Sequence, residues 1–447
     1  MNRPAPVLGT FDIVVLVVGT VVGAGLYKTP AVVAGLVPDG GWITALWVLG
    51  GLISIIGALC YSELSTAFPD TAGECHFLRL AWSRDIAFLY AWSRSVVIVP
   101  GSIAMLAVTF GDYLSLTLPL GERSPYLWAA LLAAALTLLN WFGLAEARFA
   151  QRLFFFAALG IALLIVLAGV IAHEDGPTAA ASVAGTTARS ATGPSGGGLG
   201  LAMVFVMLAY GGWNEAAYIS AETRNPQRGI YRGLLFGLVA VIALYLGVNA
   251  ALLSGLGREA LAASDAPLAE LFAKTVGPGS GVALSLIVAV SCMKSVNATM
   301  FFGARSSFIL GRDWRAFRWL DGWHQNGVPR RALIAQLVVT LVLIGLAALT
   351  RDGFVALVEF TAPVFWSFTL LVALSLIVLR RRYPEAPRPF RVPLYPLLPS
   401  IFAAVCIWLL WSSIMYAGSG ALIGIALLAA GLVPLAWERY AFRSLAA

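Results

Sequence analysis

The chain has 447 residues, is 60% hydrophobic and only 11% charged, and carries a formal net charge of +7. A soluble globule cannot hide that much apolar surface, so the composition excludes a water-soluble protein and makes the bilayer the solvent. The basic balance asks for no nucleic-acid partner, because topology and anionic lipid headgroups account for it.

Apolar runs of about twenty residues, each matching the ~30 Å hydrocarbon core, recur along the chain. Twelve spans are read: 11–36, 42–68, 86–115, 125–143, 148–172, 199–220, 229–256, 278–304, 329–349, 353–379, 398–417 and 419–437. The first run is too long for a secretory signal, has only Arg3 as a basic start and contains Lys28 before any plausible cleavage site. With the N-terminus inside, the cytoplasmic segments hold 21 arginines, whereas the external loops hold only Arg123, Arg189, Arg258, Lys274 and Arg351. That asymmetry predicts cytoplasmic termini in a multi-pass protein of the cell (inner) membrane. Of the four cysteines, Cys60, Cys292 and Cys406 fall in spans and Cys75 in a cytoplasmic loop, so no structural disulfide is expected.

The first span is interrupted at Gly19-Thr20-Val21-Val22-Gly23-Ala24-Gly25 and the sixth at Ala209-Tyr210-Gly211-Gly212-Trp213. Glycine lets a spanning helix unwind, and unwound backbone at membrane depth is tolerated only where protein buries it or it lines a cavity. Gly23 and Gly211 lie 188 residues apart (211 − 23), each in the first span of a five-span unit. An odd number of spans inverts the second unit, which gives a 5+5 inverted repeat plus an accessory hairpin. The expected division is 1–172 for the first repeat, 173–198 for an external linker, 199–379 for the second repeat and 380–447 for the accessory spans and tail.

Backbone N–H groups of Val22, Gly23, Ala24 and Gly25 suit a carboxylate, and carbonyls of Ala209 to Gly212 suit an ammonium. Together they match an α-amino acid zwitterion. Close helix packing through small residues is the alternative use of such glycines. Side-chain specificity is expected from Val21, Leu208, Tyr210 and Trp213, with Ile98 and Ser102 from the third span. Ionisable residues inside spans point to function. Lys294 lies in the eighth span with Ser291, Ser295 and Thr299 at four-residue spacing, and is expected to carry coupling together with Ser291 and Ser295. Glu215 either binds a cationic side chain, pairs with Lys28 or Arg94, or faces a watery vestibule. Arg94 is either an inner-gate partner of Glu63 or an anchor. Lys28 is expected to face the outer vestibule, and Glu359 to serve an outer gate.

These motifs resemble the amino acid–polyamine–organocation superfamily along nearly the whole chain. Gly19 to Pro30 looks like its first-helix signature, and Tyr61-Ser62-Glu63-Leu64, Pro69 and Gly73-Glu74 like the end of helix two and the next loop. Tyr210-Gly211-Gly212-Trp213-Asn214 with Glu222, Asn225-Pro226 and Arg228 is similar to helix six and its exit. Pro100-Gly101-Ser102-Ile103-Ala104 and Arg388-Pro389-Phe390-Arg391-Val392-Pro393 with Tyr395-Pro396 resemble the L-type amino acid transporter branch. The resemblance implies a LeuT-type all-α fold and transport of amino acids or related amines by alternating access. It implies a phenylalanine gate where Leu208 stands, and often a serine where Ala24 stands. Many sodium-independent members carry a lysine in span five, at a position that falls near Ala158, and Lys294 is expected to supply that charge from span eight.

The resulting expectation is a sodium-independent exchanger or proton symporter of neutral amino acids, with polyamines or cationic amino acids as the alternative. No cofactor or metal is expected. A membrane enzyme is disfavoured because His76, His173 and His324 lie in separate loops and no HExxH motif occurs. A channel would need a continuous polar stripe that these spans lack. Animal L-type exchangers attach to a glycoprotein through a cysteine between spans three and four. The segment Thr117 to Pro125 has none, so no heavy-chain subunit is expected.

Overall fold

The computed structural model describes residues 9–70, 72–142, 160, 163–165, 167, 196–215, 226–322, 329–416 and 418–442, and every regular element among them is helical. Nine of the described helices are long and apolar enough to cross a membrane, and they coincide with nine of the twelve expected runs. Two of the other three are broken. The first run divides into α1 (Thr10–Val21), α2 (Ala24–Tyr27) and α3 (Thr29–Leu36). The sixth yields α9 (Gly196–Ala209) and a tight turn that follows it. Most of the fifth run, Ala158 within it, and nearly all of the 173–198 linker lie outside the described residues, as do Glu222 and Asn225.

The unbroken helices begin where side chains replace missing backbone partners. Asp39 accepts from the Trp42 N–H (3.0 Å) at the start of α4 (Gly40–Ala67). Ser83 accepts from the Ile86 N–H (3.2 Å) at the start of α6 (Arg84–Ser93), which follows the short α5 (Glu74–Ala81). The third span continues from α6 through a wide π turn, Arg94–Ile98, into α7 (Val99–Ser115). Pro100 explains the widening: its nitrogen has no hydrogen to donate, and its ring crowds the carbonyl one turn back.

Next come α8 (Ser124–Trp141), α10 (Pro226–Leu256), two short helices α11 (Arg258–Ala263) and α12 (Pro267–Thr275), and α13 (Pro278–Asp313). A 3-10 turn (Arg315–Leu320) precedes α14 (Arg330–Ala347), α15 (Gly353–Arg382), α16 (Leu397–Met415), α17 (Ser419–Ala430) and α18 (Leu432–Phe442).

Spans pack against their counterparts five places later: α4 on α10, α7 on α13 and α8 on α14. The last hairpin, α16 and α17, covers α15. Large apolar side chains such as Leu131, Val338 and Ile407 remain exposed on outward faces, as expected of helices whose solvent is lipid.

Ion pairs gather the arginine-rich connections at one end of the bundle. Arg79 pairs with Asp313, Arg439 with Asp85 and Arg380 with Glu63. Glu63 is almost fully buried and also accepts from the Val392 N–H (2.6 Å), with Arg388 3.5 Å away. This corrects one expectation: Glu63 is held by Arg380 and does not pair with Arg94.

Candidate functional site

The two breaks meet in the middle of the bundle. α1 stops at Val21, Val22 is extended (φ −74°, ψ 100°), and α2 begins at Ala24. Val22 N–H donates to Val18 O (2.9 Å) and Leu26 N–H to Gly23 O (2.9 Å). No hydrogen bond among the described residues engages the N–H groups of Gly23 and Gly25. Two glycines are required by geometry. A Cβ on Gly25 would sit 2.6 Å from the Ala209 Cα, so the broken strands of helix touch here. Gly212 has φ +106°, a region other residues enter at a cost, and a Cβ there would lie 3.0 Å from the Thr20 carbonyl.

A single buried side chain bridges the breaks. The Tyr245 hydroxyl on α10 lies 2.9 Å from Val21 O and 3.0 Å from Ala209 O. Each carbonyl has two lone pairs and the hydroxyl one hydrogen, so Ala209 O keeps acceptor capacity beside Tyr210 and Gly211. Gly212 O takes the Glu215 N–H (3.2 Å) and lies 3.3 Å from the Thr20 hydroxyl.

A cavity of about 180 Å³ opens beside the breaks. Of the residues expected there, Val21, Gly23, Gly25, Ile98, Ser102, Leu208, Ala209, Gly211, Gly212, Arg94, Glu215 and Ser295 line it. Sequence reasoning missed Phe205, Phe354, Val358 and Phe365, which supply much of the apolar wall, and Thr361. The last four lie on α15, one face of an otherwise uniform apolar run, and nothing local marks that face. The hydroxyls of Ser102, Ser295, Thr299 and Thr361 each donate to a carbonyl of their own helix (2.8, 3.2, 2.9 and 2.8 Å). Only their lone pairs are left for a guest, so these four positions offer acceptors rather than donors.

Several expected residues stand elsewhere. Tyr210 turns away from the cavity: its hydroxyl donates to Trp47 O (3.0 Å) and its ring meets Trp47 and Tyr245. Trp213 packs edge-on against Tyr61 (5.1 Å) and near Phe402 (6.4 Å), a core contact with α4 and α16. The positive φ at Gly212 turns the chain between these two aromatics and the cavity. Val22 is fully buried and does not line the space. Ser291 bonds the Tyr27 hydroxyl (2.7 Å). Lys294 lies outside the lining, with its Nζ 3.6 Å from where a Cβ on Gly19 would stand. Glu359 lies against Gly418 at the start of α17 and is not part of the cavity lining.

Two clusters of ion pairs stand toward opposite ends of the third span. Toward the arginine-rich end, the π turn presents Arg94. Its Nη2 donates to both carboxylate oxygens of Glu215 (2.7 and 2.8 Å), its Nε to Ser306 (2.8 Å), and Glu74 lies 3.8 Å away. Glu74 in turn accepts from Tyr61 (2.6 Å), Tyr90 and Asn214 (3.4 Å). Arg94 is thus the partner that Glu215 takes among the options the sequence left open.

At the opposite end, Lys28 is 5% exposed rather than open to a vestibule, and bridges Asp112 (2.9 Å) and Asp265 (3.1 Å). On α5, burial lowers the His76 pKa against the pull of Asp70 (3.7 Å) and pushes the Cys75 thiol up to about 12. Among the described residues no group of His, Cys, Asp and Glu side chains is placed to hold a metal ion.

The family model "Amino acid permease" matches residues 8–434. The chain is 26% identical to the human b(0,+)-type amino acid transporter 1, over 91% of its own length and 82% of that protein. It is 27% identical to the human Large neutral amino acids transporter small subunit 2, over 93% and 77% of the two lengths. It is 26% identical to the Cystine/glutamate transporter of Pongo abelii, over 95% and 84%. One of these relatives is by its name a small subunit, so the expectation of a chain without a second subunit finds no support here.

Proposed function

Because the chain belongs to the amino acid permease family, and is therefore a multi-pass membrane transporter and not an enzyme, we propose that it carries neutral amino acids by alternating access through the cavity between its broken helices. The substrate carboxylate takes the N–H groups of Gly23, Ala24 and Gly25. The ammonium takes carbonyls of the second break and the lone pairs of the cavity hydroxyls. The observation that carries this reading is the juxtaposition of free break N–H groups and an acceptor-rich wall around about 180 Å³. That volume is below the roughly 300–1,000 Å³ of drug-sized pockets and suits one small solute.

The pairing of spans five places apart supports an inverted repeat of five plus five spans with an accessory hairpin. The arginine-rich end then faces the cytoplasm, by the excess of basic residues in its connections. Arg94–Glu215 becomes the inner closure and Lys28–Asp112–Asp265 the outer one. Neutral substrates are favoured over cationic amino acids or polyamines because Glu215, the carboxylate that lines the cavity, is already neutralised by Arg94. Lys294, close against the first span before its break, is the coupling residue. It fills the place of a sodium ion and makes the transporter sodium-independent, as an exchanger or a proton symporter.

The test is a thermal-shift screen of the purified protein against the twenty amino acids and common amines, followed by uptake into proteoliposomes. Ligands that bind the folded state raise its melting temperature. Neutral amino acids should do so and should accelerate efflux of one another. Lys294→Ala should abolish pH-dependent uptake while the protein still melts cooperatively. An unchanged pH profile would remove Lys294 from the mechanism, and a protein that responds only to polyamines would replace the substrate class.

A further inference from the structure

Arg94 is a cation that lines the cavity and is not offered to its contents. Both carboxylate oxygens of Glu215 cover Nη2 at 2.7 and 2.8 Å, Ser306 takes Nε at 2.8 Å, and Tyr90 and Glu74 flank Nη1 at 3.4 and 3.8 Å. The side chain of Arg94 is 4% exposed and that of Glu215 is 18% exposed, so Glu215 is the layer between the guanidinium and the open space. No other cation lines the cavity among the described residues. The hydroxyls of Ser102, Ser295, Thr299 and Thr361 are committed to their own helices, the break N–H groups are assigned to the α-carboxylate, and the remaining polar side chains, such as Thr29 and Asn214, are neutral. A side chain bearing a second carboxylate would therefore enter this cavity without a charged partner, at a desolvation cost.

We propose that Glu215 is a specificity-determining residue: it masks the Arg94 guanidinium and thereby makes the cavity refuse amino acids with an anionic side chain. The inference rests on the substrate reading above and adds to it which side chains are turned away and by what. A discriminating site works as much through what it withholds as through what it offers. The planar fork of arginine matches a carboxylate from any source. Removing the carboxylate of Glu215 leaves that fork facing the cavity, where the side-chain carboxylate of a substrate can take its place. Glu74 does not substitute for Glu215, because it lies against Nη1 and is itself held by Tyr61 and Tyr90.

The experiment compares L-leucine with L-glutamate in the full-length protein, by competition for uptake in proteoliposomes and by thermal shift. The wild type should respond to leucine and not to glutamate. Glu215→Gln should raise the glutamate-to-leucine ratio by about tenfold or more. The double variant Arg94→Gln/Glu215→Gln should return the ratio to the wild-type value, because the exposed cation is gone. Should Glu215→Gln prove too unstable for uptake, glutamate should raise its melting temperature more than leucine does.

A Glu215→Gln protein whose glutamate-to-leucine ratio stays at the wild-type value in both measurements overturns the proposal. So does a gain that persists in the double variant, or a wild type that takes glutamate as readily as leucine. A wild type that no amino acid stabilises or competes with sinks the substrate reading itself, and the mask falls with it.

Discussion

The two closures of the cavity are built on opposite plans. Toward the arginine-rich end, Arg94 is wrapped by Glu215, Glu74, Tyr90 and Ser306, all within the protein interior. At the other end, Lys28 bridges one shielded aspartate and one that is nearly free in solvent, the side chains of Asp112 and Asp265 being 14% and 92% exposed. The chemistry of the cations fits these settings. A guanidinium spreads five donors over several acceptors in a fixed plane, whereas an ammonium is a compact charge on a flexible stem. The first end is therefore a network that must be rearranged as a whole. The second can let go of Asp265 while Lys28 keeps Asp112.

The comparison is open to direct attack, and the largest effect is expected at Arg94. Arg94→Gln strips the charge from a buried network and leaves Glu74 and Glu215 uncompensated, which should cost about 3–5 kcal/mol of stability. A melting temperature within a degree or two of the wild type would show that the network is not the closure described. Lys28→Met leaves Asp112 alone at the end of a spanning helix and should cost about 3 kcal/mol, read from the same melts.

The glycines that let the breaks touch come next. Gly25→Ala drives a methyl into the Ala209 backbone and should cost about 1–3 kcal/mol and most of the uptake. Gly212→Ala forces a left-handed backbone on alanine, for about 1–2 kcal/mol. Asp265→Asn should cost less than about 1 kcal/mol, because the carboxylate it removes is exposed. It should instead change how readily the cavity admits a membrane-impermeant thiol reagent to a cysteine placed at Ser102. Equal losses for Asp265→Asn and Lys28→Met would erase the difference between the two ends.

What could be read from the chain divides along a physical line. Broken spans were legible because glycine clusters in an apolar run have a local cause and a local result. The residues lining the cavity from those breaks followed directly. The aromatics beside Gly212 were misplaced, since helical spacing ceases to predict direction once the backbone adopts a positive φ. Arg94 and Lys28 stood out as charges inside spans, and Glu215 as a partner for one of them, but their other partners did not. Asp112, Asp265 and Glu74 lie 84, 237 and 20 residues away in the chain (112 − 28, 265 − 28, 94 − 74), and only packing brings them near. The wall on α15 was hidden for the opposite reason: Phe354, Val358 and Phe365 look like every other apolar residue of their helix. The π turn went unread because Pro100 stands out in the sequence only as part of a family motif, although a proline inside a spanning run loosens the turn before it.

The clamp on Glu63 has a bearing on how the molecule might be cut down. Its carboxylate is gripped by Arg380 and by the peptide nitrogen of Val392, a residue in the crossover that leads to the final hairpin. A minimal version truncated after α15 would surrender that second grip and bare an anion at the edge of the ten-helix body. The terminal pair of helices is thus sewn into the fabric of the carrier, and trimming it should unravel the seam at helix two.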